Sequence, residues 1–480
     1  MMFLHKRYTT ALALALLAVF AGCTKPWSDH NQLTDDKVKN NLYEAISKTT
    51  NLGKFSSLLV KTGYDKVIAS SKTYTVWAPT DQALQSLDPA VLNDTAKLKL
   101  FVGNHISNQS YLAGAGIGAR RIQMFNGKYI NTTATTFDSA NIVTANQYAS
   151  NGVFHIIDKF IPRYDNCWEW LRNSTSVPLM KAYLLSLDTN TLDHPVQIGV
   201  DPNTGQPIYQ PGVGYVLHNK YLDSVMNISD EANLYTFVVL TDAGFTTELN
   251  KIAPYFKTGT PDSTQKLSGN HLVKDFAFKG LYTPSQLPQT LVSQYGVSVP
   301  LNTANLVASY KTSNGIVYVM SDVTFTFTDK FPPIVIQGEN PNAFAADRSS
   351  QVLYRIRKDS ATGRIYNDLL IQNYNYASYW INYKLRGAYT TKYNISWVAV
   401  NDVQTTPLWQ QRLGIDSVNN TTNLPYVTVA YKTTTEVALG SWTLNNYRPV
   451  NLFVIGPTTA SSSGGSNSIS IDYIKLTPLP

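Results

Sequence analysis

The sequence predicts a multi-domain protein in which two α/β domains are followed by an all-β sandwich. Three features carry this prediction: a repeated pair of strand motifs, a final third without helical periodicity, and a composition that favours strands and turns. Of the 480 residues, 43% are hydrophobic and 15% are charged, against about 25% charged residues in ordinary soluble proteins. This composition excludes a disordered chain, which needs low hydrophobicity and high charge.

The polar residues indicate where such a chain works. Glutamate occurs only six times, whereas there are 30 tyrosines, and Thr, Asn and Ser are abundant; such residues favour strands and turns. The net charge of +7 is spread thinly, without a run of Lys or Arg. A nucleic-acid partner is therefore not expected.

The N-terminus has the pattern of an export signal. Lys6 and Arg7 precede an apolar run of ten residues, Ala11 to Phe20, which is too short to span a bilayer. The Ala21-Gly22-Cys23 ending resembles the lipobox of bacterial lipoproteins. That resemblance implies a signal peptide over residues 1–22, a lipidated Cys23 followed by a linker (23–37), and an outer-membrane protein exposed at the cell surface. The alternative is ordinary cleavage near Ala21.

Two sequence motifs recur along the chain. A strand, a Pro and a capping residue occupy Tyr74–Ala83, and a turn with an apolar strand occupies Asn151–Asp158. Similar segments follow at Tyr235–Phe245 and Asn314–Met320. Thr75 and Thr236 are 161 residues apart, and Gly152 and Gly315 are 163 apart. Two motifs that recur at nearly one offset predict duplication of a whole domain.

These segments resemble the signatures of the fasciclin family. Thr75–Asp81 is similar to its Thr-Val-Phe-Ala-Pro-Thr-Asp pattern, Asn151–Asp158 to its Asn-Gly-Val-Ile-His-Val-Ile-Asp pattern, and His105 stands in the family's central His position. The resemblance implies two compact α/β domains, over 38–163 and 164–332. The second is degraded, because the region 274–278 lacks the His. It also implies a role in adhesion.

The motif residues are expected to have structural roles. Thr75 and Asp81 are predicted to fix the corner between strand and helix. His105 and His155 are predicted to hydrogen-bond buried backbone, and Cys167 to lie in the core at the start of a helix. The glycine-rich segment 196–215 is interpreted as an exposed loop, with ligand contact as the alternative.

No catalytic pattern was found in the sequence. The histidines have no metal-ligand spacing, and there is no Cys/His cluster, no phosphate-binding loop and no serine elbow. We therefore expect neither a cofactor nor a metal, and we expect the protein not to be an enzyme. A glycan-active enzyme is an open alternative, because paired carboxylates are recognised by separation in space rather than in sequence.

The last third, residues 333–480, is predicted to be all β. Pro332-Pro333 marks the break, and alternating apolar residues predict strands at Tyr379–Leu385, Tyr393–Val400, Tyr426–Tyr431, Val450–Ile455 and Ser468–Leu476. The segments around Tyr379-Trp380, Gly387–Tyr389, Arg412–Asp416 and Ile471–Ile474 resemble galactose-binding-like jelly rolls of bacterial surface and glycan-active proteins.

That resemblance implies carbohydrate binding through aromatic faces, since the apolar C–H faces of sugar rings stack on them. The candidate residues are Tyr374, Tyr376, Trp380 and Trp409, with packing inside the sandwich as the alternative. The leading hypothesis is a non-enzymatic lipoprotein that binds an extracellular polysaccharide and serves glycan import, with an outer-membrane transporter complex as a partner. A cell-surface adhesin acting through the fasciclin-like domains is the alternative.

Overall fold

The structure, a computed structural model, describes residues 39–346, 351–359, 362–420, 423–461 and 466–480. The predicted signal peptide, Cys23 and the linker lie outside these residues. The chain forms two compact units: one extends to Asn166 and includes 230–233 and 312–314, and the other contains the remainder. The fold class is as predicted, multi-domain with an α/β region followed by an all-β region, while the boundaries of three separate domains stay a prediction.

In the first unit, helices pack beside one mixed sheet. The helices are α1 (Leu42–Lys48), α2 (Gly53–Thr62), α3 (Tyr64–Ile68), α4 (Pro89–Leu92) and α5 (Thr95–Gly103). The strands are β1 (Tyr74–Pro79), β2 (Ile106–Ser107), β3 (Arg120–Gln123), β4 (Tyr129–Thr132), β5 (Thr136–Phe137), β6 (Ala140–Ala149) and β7 (Gly152–Ile157). Their order in the sheet is β2-β1-β7-β6-β5-β4-β3.

The first part of the second unit repeats this arrangement with additions. Its helices are α6 (Cys167–Asn173), α7 (Pro178–Leu185), α8 (Lys220–Ser224), α9 (Asp242–Ile252), α10 (Pro261–Val273) and α11 (Phe327–Lys330). Its strands are β8 (Asp188–Leu192), β9 (Gln197–Val200), β10 (Pro207–Tyr209), β11 (Tyr215–Asn219), β12 (Tyr235–Leu240), β13 (Ala277–Lys279), β14 (Thr290–Val292), β15 (Ser298–Pro300), β16 (Leu306–Thr312) and β17 (Gly315–Met320). The central sheet has the order β13-β12-β17-β16.

The two halves of the repeat share their strand register. β1 and β7 run parallel with Tyr74 opposite Gly152, and β12 and β17 run parallel with Tyr235 opposite Gly315. A Cβ atom on either glycine would collide with the carbonyl oxygen of the opposite tyrosine. Glycine at this place therefore lets the parallel pair close, which explains why the Asn-Gly motif occurs in both halves.

The threonines at the start of these strands make the same hydrogen bonds. The Thr75 hydroxyl donates to Gln109 O (2.6 Å) and accepts from the Tyr111 amide (2.8 Å). The Thr236 hydroxyl donates to Gly280 O and accepts from the Tyr282 amide, both at 3.0 Å. Thr75 thus fixes a loop to the strand. The expectation that it fixes the strand–helix corner is wrong. Thr75 lies near the start of β1, whereas the corner follows the end of β1 at Pro79.

The corner is fixed instead by the residues after β1. The Asp81 carboxylate accepts from the Lys54 amide at the start of α2 (2.7 Å). In the second half the Asp242 carboxylate accepts from the Leu179 amide at the start of α7 (3.0 Å). α2 and α7 are therefore equivalent. Asp81 ties the end of β1 to the start of α2, a helix that precedes β1, whereas the turn that follows β1 is capped by the Thr80 hydroxyl, which accepts from the Ala83 amide (3.1 Å).

The C-terminal region contains only β-sheets among the described regular elements. The strands are β18 (Ile334–Gln337), β19 (Ala343–Phe344), β20 (Val352–Lys358), β21 (Ile365–Gln372), β22 (Trp380–Leu385), β23 (Lys392–Val398), β24 (Gln410–Ile415), β25 (Val427–Thr428), β26 (Val437–Thr443), β27 (Val450–Ile455), β28 (Ser468–Ile471) and β29 (Tyr473–Pro478). They form sheets of order β18-β29-β23-β26, β19-β22-β27-β24-β25 and β20-β21-β28, around one apolar core.

The predicted final strand, 468–476, is in fact two strands. β28 pairs with β21, whereas β29 pairs with β18 and β23. The chain changes sheet at Asp472, which is 2% exposed. Alternation of apolar residues continues through this position, so it does not reveal the change of sheet.

The sandwich and the second half of the repeat pack together within the second unit. The Thr390 amide donates to Tyr255 O (2.8 Å), and the Tyr447 amide donates to Lys257 O (2.7 Å). Tyr389 packs edge-on against Phe331, with ring centroids 5.0 Å apart. Hydrogen bonds and aromatic packing therefore join these two regions within one compact unit.

Candidate functional site

The four candidate aromatic residues of the sandwich do not form one exposed platform. Tyr374 and Trp409 are 0% and 1% exposed, respectively, and both belong to the sandwich core. The Tyr374 ring packs 4.7 Å from the Tyr379 ring. For these two residues the expectation of an open sugar-stacking face is wrong, because the loops that carry them turn their rings inward.

The other two candidates are more accessible but lie apart. Tyr376 is 43% exposed and meets the Tyr379 ring edge-on at 6.0 Å. Trp380 is half-buried in β22 and packs at a right angle against Phe453 (5.3 Å). Whether either residue contacts a ligand stays a prediction.

One side of Trp409 nevertheless lines an open cavity, the loop-end cleft, of about 240 Å³. It lies where the chain enters β24 and leaves β27. Its lining residues are Leu408, Trp409, Gln410, Tyr426, Pro457, Thr458, Thr459 and Ser466.

The wall of the loop-end cleft is held by a set of hydrogen bonds. The Tyr426 hydroxyl donates to Gly456 O (3.2 Å), and the Arg412 guanidinium lies 4.9 Å from the Tyr426 ring centroid. The Asn467 amide group donates to Thr459 O (2.9 Å). These contacts hold the Tyr426 ring and the Thr459 backbone in place at the cleft.

Glycine is required behind this wall. A Cβ atom at Gly456 would collide with the Tyr374 hydroxyl, which is buried and has no hydrogen-bond partner among the described residues. Burial raises the pKa of this tyrosine far above its usual range, so the hydroxyl stays neutral. Tyr374 is therefore a supporting residue of the cleft rather than a ligand-stacking face.

The chemistry of the loop-end cleft is neutral and hydrogen-bonding. The described residues of its lining contribute hydroxyl, amide and phenol groups, and none of them is Asp, Glu, Lys, Arg or His. Hydroxyl and amide groups both donate and accept hydrogen bonds, and aromatic edges and faces contact apolar C–H groups. Such a lining suits an uncharged ligand with many hydroxyl groups.

A second cleft in the sandwich is charged. It has a volume of about 460 Å³ and is lined in part by Glu339, Arg364, Tyr366 and Asp472. Two carboxylates in one cleft is the arrangement that the enzyme hypothesis predicted. However, Arg364 binds Asp472 at 2.8 Å, while burial raises the pKa of the Asp472 carboxyl. The ion pair gives Asp472 a structural partner in this cleft.

His105 and His155 have structural roles in the first unit. His105 Nδ1 donates to Phe101 O (3.0 Å) and its Nε2 accepts from the Ile161 amide (3.1 Å). His155 Nε2 donates to Tyr111 O (2.9 Å) and its Nδ1 accepts from the Asn146 amide (3.2 Å). Burial lowers the pKa of His105 to about 4 and also lowers that of His155. The predicted bonding to buried backbone is confirmed.

Among the described residues, no group of three or more His, Cys, Asp or Glu side chains is arranged to hold a metal ion. In the same part of the chain, no helix is both long and apolar enough to cross a membrane. Cys167, the described cysteine, is fully buried, as predicted.

Residues 50–162 match the family model of the fasciclin domain. No curated protein is significantly similar to the chain. The region from α2 to the end of β7 is thus fasciclin-like, as the sequence motifs indicate. The corresponding assignment of the second half, 164–332, rests on the internal repeat described above.

Three solved structures are similar to parts of the chain. A fasciclin-domain pair from the insect cell adhesion molecule fasciclin I is 16% identical, with a TM-score of 0.23, covering 58% of this chain and 98% of that chain. A family 35 carbohydrate-binding module from Clostridium thermocellum is 13% identical, with a TM-score of 0.22, covering 31% and 98%. A Podospora anserina mannanase with a module of family 35 is 18% identical, with a TM-score of 0.22, covering 31% and 28%. The chain therefore spans about 28% of that mannanase's length.

Sequence analysis missed several residues of the loop-end cleft. The sequence pattern places Tyr426 in a predicted strand, and it does not single out Gln410, Thr458 or Thr459. The available signal was the hydroxyl-rich stretch that follows β27, where polar side chains are grouped between two apolar strands. Strand periodicity identifies the elements but does not show which loops meet at one end of the sandwich.

Proposed function

We propose that this protein is a non-enzymatic cell-surface lipoprotein that binds a neutral extracellular polysaccharide through the loop-end cleft. The observation that carries the proposal is the uncharged lining of that cleft, which joins aromatic groups to hydroxyl and amide groups. Sugars are bound by this combination, because ring C–H groups pack on aromatic surfaces while hydroxyls exchange hydrogen bonds.

Binding is tested with residues 24–480, which keep every described element. A glycan array identifies ligands, and isothermal titration measures the dissociation constant. Thr459→Ala and Gln410→Ala, which remove polar groups of the cleft, are expected to weaken binding about 2- to 12-fold each, the cost of a hydrogen bond to a neutral partner. The matched control Thr247→Ala changes an exposed threonine of α9, outside the sandwich, and leaves binding unchanged.

The proposed anchor is a lipid on Cys23. Two or more acyl chains hold a protein on a membrane durably, whereas one does not. Labelling with a radioactive fatty acid is expected to mark the native chain and not Cys23→Ala, which is expected to appear in the soluble fraction. A labelled Cys23→Ala protein would contradict this anchor. Surface accessibility to protease in intact cells tests the proposed outward orientation at the outer membrane.

The proposed role in glycan import requires a transporter partner in the outer membrane. Cross-linking in cells that grow on the bound glycan, followed by mass spectrometry, tests this association. A slower uptake of that glycan after deletion of the protein is the expected physiological result. Unchanged uptake would limit the proposal to surface capture.

Adhesion is the second candidate, and the match of residues 50–162 to the fasciclin domain favours it. It predicts that attachment to cells or matrix is blocked by antibodies against residues 39–166 and not by changes in the loop-end cleft. The polysaccharide proposal predicts the opposite pattern. The two are therefore separated by one set of reagents.

A further inference from the structure

Two neighbouring helices of the first unit, α2 and α5, have a basic outer surface. They contact each other, and together they contain no Asp or Glu but four Lys, all of them exposed: Lys54, Lys61, Lys97 and Lys99. Val60 and Leu100 lie among these lysines and are 51% and 39% exposed, respectively. We call these six side chains the lysine face. The fold assembles it from two separate stretches of sequence.

The geometry of α2 places its two lysines toward solvent. Lys54 and Lys61 are seven residues apart, which is about two turns, so they share one side of the helix. Phe55 and Leu59 face the other way and are buried. The Lys61 ammonium group also donates to Leu92 O (2.5 Å), at the end of α4 and just before α5. Lys61 therefore lies on the side of α2 that is next to the start of α5.

In α5 the two lysines flank an exposed leucine. Each residue advances by about 100° around a helix, so Leu100 lies between Lys97 and Lys99, on the side opposite to the buried Leu98 and Val102. An apolar side chain with a lysine on either side is the arrangement of a helix that lies in a membrane surface.

Two carboxylates at the starts of these helices are used by backbone amides. The Asp81 carboxylate accepts from the Lys54 amide (2.7 Å), and the Asp94 carboxylate accepts from the Lys97 amide (3.0 Å). Asp94 also lies 3.8 Å from the Lys97 ammonium group, but an exposed ion pair of this kind contributes little. Among the described residues, no carboxylate is paired with the other three lysines. The positive charge of the lysine face is therefore largely uncompensated.

Three helices of the second unit are balanced in charge. Together α7, α9 and α10 contain three Lys and three Asp or Glu, and Lys251 pairs with Glu248 at 2.5 Å. The segment 196–215 has no Lys or Arg. Its prediction as an exposed loop is correct as to exposure but not as to structure, since it contains β9 and β10. The lysine face is therefore not repeated in these parts of the second unit.

Lysines mixed with exposed apolar side chains suit a membrane surface with anionic headgroups. Headgroup phosphates attract lysine ammonium groups, while the apolar side chains of a surface-bound helix enter the boundary between headgroups and acyl chains. A soluble polyanion offers the first contact but not the second, so it leaves Val60 and Leu100 in water. An anionic bilayer is the occupant that fits both parts of the lysine face.

The position of the proposed anchor brings the lysine face to a bilayer. Cys23 precedes Lys39, the first described residue, by sixteen positions, which span at most about 55 Å when fully extended. A lipid on Cys23 therefore holds the first unit close to the membrane and raises the effective concentration of the lysine face there. We propose that the lysine face binds the anionic lipid headgroups of the membrane that carries this lipid. This location rests on the proposed lipid, whereas the charge of the face does not.

Co-sedimentation with vesicles tests the contact on residues 24–480, a fragment that has no lipid because it lacks Cys23. Vesicles of phosphatidylcholine with about 30% phosphatidylglycerol are expected to bind the fragment through their negative surface potential. Binding should weaken as the ionic strength is raised from about 0.05 to 0.5 M, because salt screens exposed charges. Vesicles of phosphatidylcholine alone should bind at least about tenfold more weakly.

A triple variant shows whether the lysine face carries this binding. Lys54→Gln/Lys97→Gln/Lys99→Gln removes three charges and keeps side chains that favour helices. Each Lys near an anionic surface contributes about fivefold in affinity, so binding to the anionic vesicles should weaken at least about tenfold. The matched control removes three exposed lysines of the sandwich and should bind like the wild type: Lys384→Gln/Lys392→Gln/Lys432→Gln.

A fluorescent probe locates the contact. Val60→Cys can be labelled with an environment-sensitive dye, since Cys167, the other thiol of this fragment, is fully buried. The emission of the dye should shift to the blue with anionic vesicles. The same dye on Val307→Cys should not shift, because Val307 is 60% exposed on β16 in the second unit.

Four results would overturn the proposal: no binding to anionic vesicles, equal weakening in both triple variants, an unshifted dye on Val60→Cys, or binding to soluble heparin without binding to vesicles. Failure of the proposed anchor has a different signature. In that case the native chain is not labelled by fatty acid at Cys23, while the fragment without lipid still binds anionic vesicles.

Discussion

The ammonium group of Lys330 lies 2.6 Å from the Asp275 carboxylate, and both side chains are buried. Lys330 also donates to His271 O (2.5 Å), while the Ser293 hydroxyl donates to the other oxygen of Asp275 (2.6 Å). The pair therefore joins α11 to the end of α10 inside the second unit. Burial lowers the pKa of Lys330, whereas Asp275 opposes that shift.

Removing one member of this pair should be costly. Lys330→Met leaves the Asp275 charge buried and unpaired, so we expect the free energy of unfolding to fall by about 3–5 kcal/mol. Lys330→Met/Asp275→Leu should recover most of this loss, because no charge remains. Urea denaturation of both variants measures the effect, and equal destabilisation of the single and double variants would contradict the buried-pair interpretation.

The buried histidines predict loss of stability in acid. The pKa of His105 is about 4 in the folded chain, against about 6.5 when unfolded. Between these values the unfolded chain binds a proton that the folded chain does not. Stability is therefore complete above pH 6.5 and falls as the pH decreases toward 4, by up to about 3 kcal/mol for this residue.

Urea unfolding of residues 24–480 at several pH values tests this dependence. His105→Gln should flatten the loss below pH 6.5. His218→Gln serves as the control, since Asp193 raises the pKa of His218 and its contribution has the opposite sign. An equally steep loss of stability in His105→Gln would show that other groups cause it.

Gly152 and Gly127, both in the first unit, differ in the space available for a Cβ atom. Gly152 has no room for a Cβ atom against Tyr74 O, whereas Gly127 has a positive φ of 83° and no heavy atom near its Cβ position. Gly152→Ala should therefore cost several kcal/mol, and Gly127→Ala about 1 kcal/mol from backbone strain alone. Thermal denaturation measures both; equal costs would contradict the close approach of β1 and β7.

Much of the fold follows from the sequence because local patterns and the repeat point to the same elements. The recurrence of the strand motifs at Gly152 and Gly315 and the shared face of Tyr379, Ile381 and Tyr383 follow from motif and alternation, whereas the parallel register of each strand pair does not. The break at Asp472 does not, because the apolar alternation continues while the chain changes sheet.

The site was harder to predict than the fold. Tyr374 and Trp409 have the composition of a sugar platform, yet their rings complete the core. Whether a loop aromatic points in or out depends on which loops meet at the end of the sandwich, and that is a long-range property. Tyr426 lies in the candidate site because it directly precedes β25, which pairs with β24, which in turn pairs with β27.

The two predicted site tyrosines should therefore behave differently on substitution. Tyr374 is fully buried, and Tyr374→Ala is expected to cost about 3–5 kcal/mol through the cavity it leaves. Tyr376 is 43% exposed, and Tyr376→Ala should cost less than about 1 kcal/mol. Denaturation curves of the two variants check this difference, and a small effect of Tyr374→Ala would contradict its place in the core.

The most direct test of the proposed function is isothermal titration of a neutral polysaccharide, selected on a glycan array, into residues 24–480 and two variants of Tyr426. The wild type and Tyr426→Phe, which keeps the ring, should bind with similar affinity, whereas Tyr426→Ala should bind at least about fivefold more weakly, since stacking contributes about 1 kcal/mol or more. Tyr354→Ala is the matched aromatic control, because Tyr354 is 58% exposed on β20 and does not line the cleft, and it should bind like the wild type. Absence of binding across the array, or equal binding by a folded Tyr426→Ala protein, would contradict a polysaccharide site in the loop-end cleft.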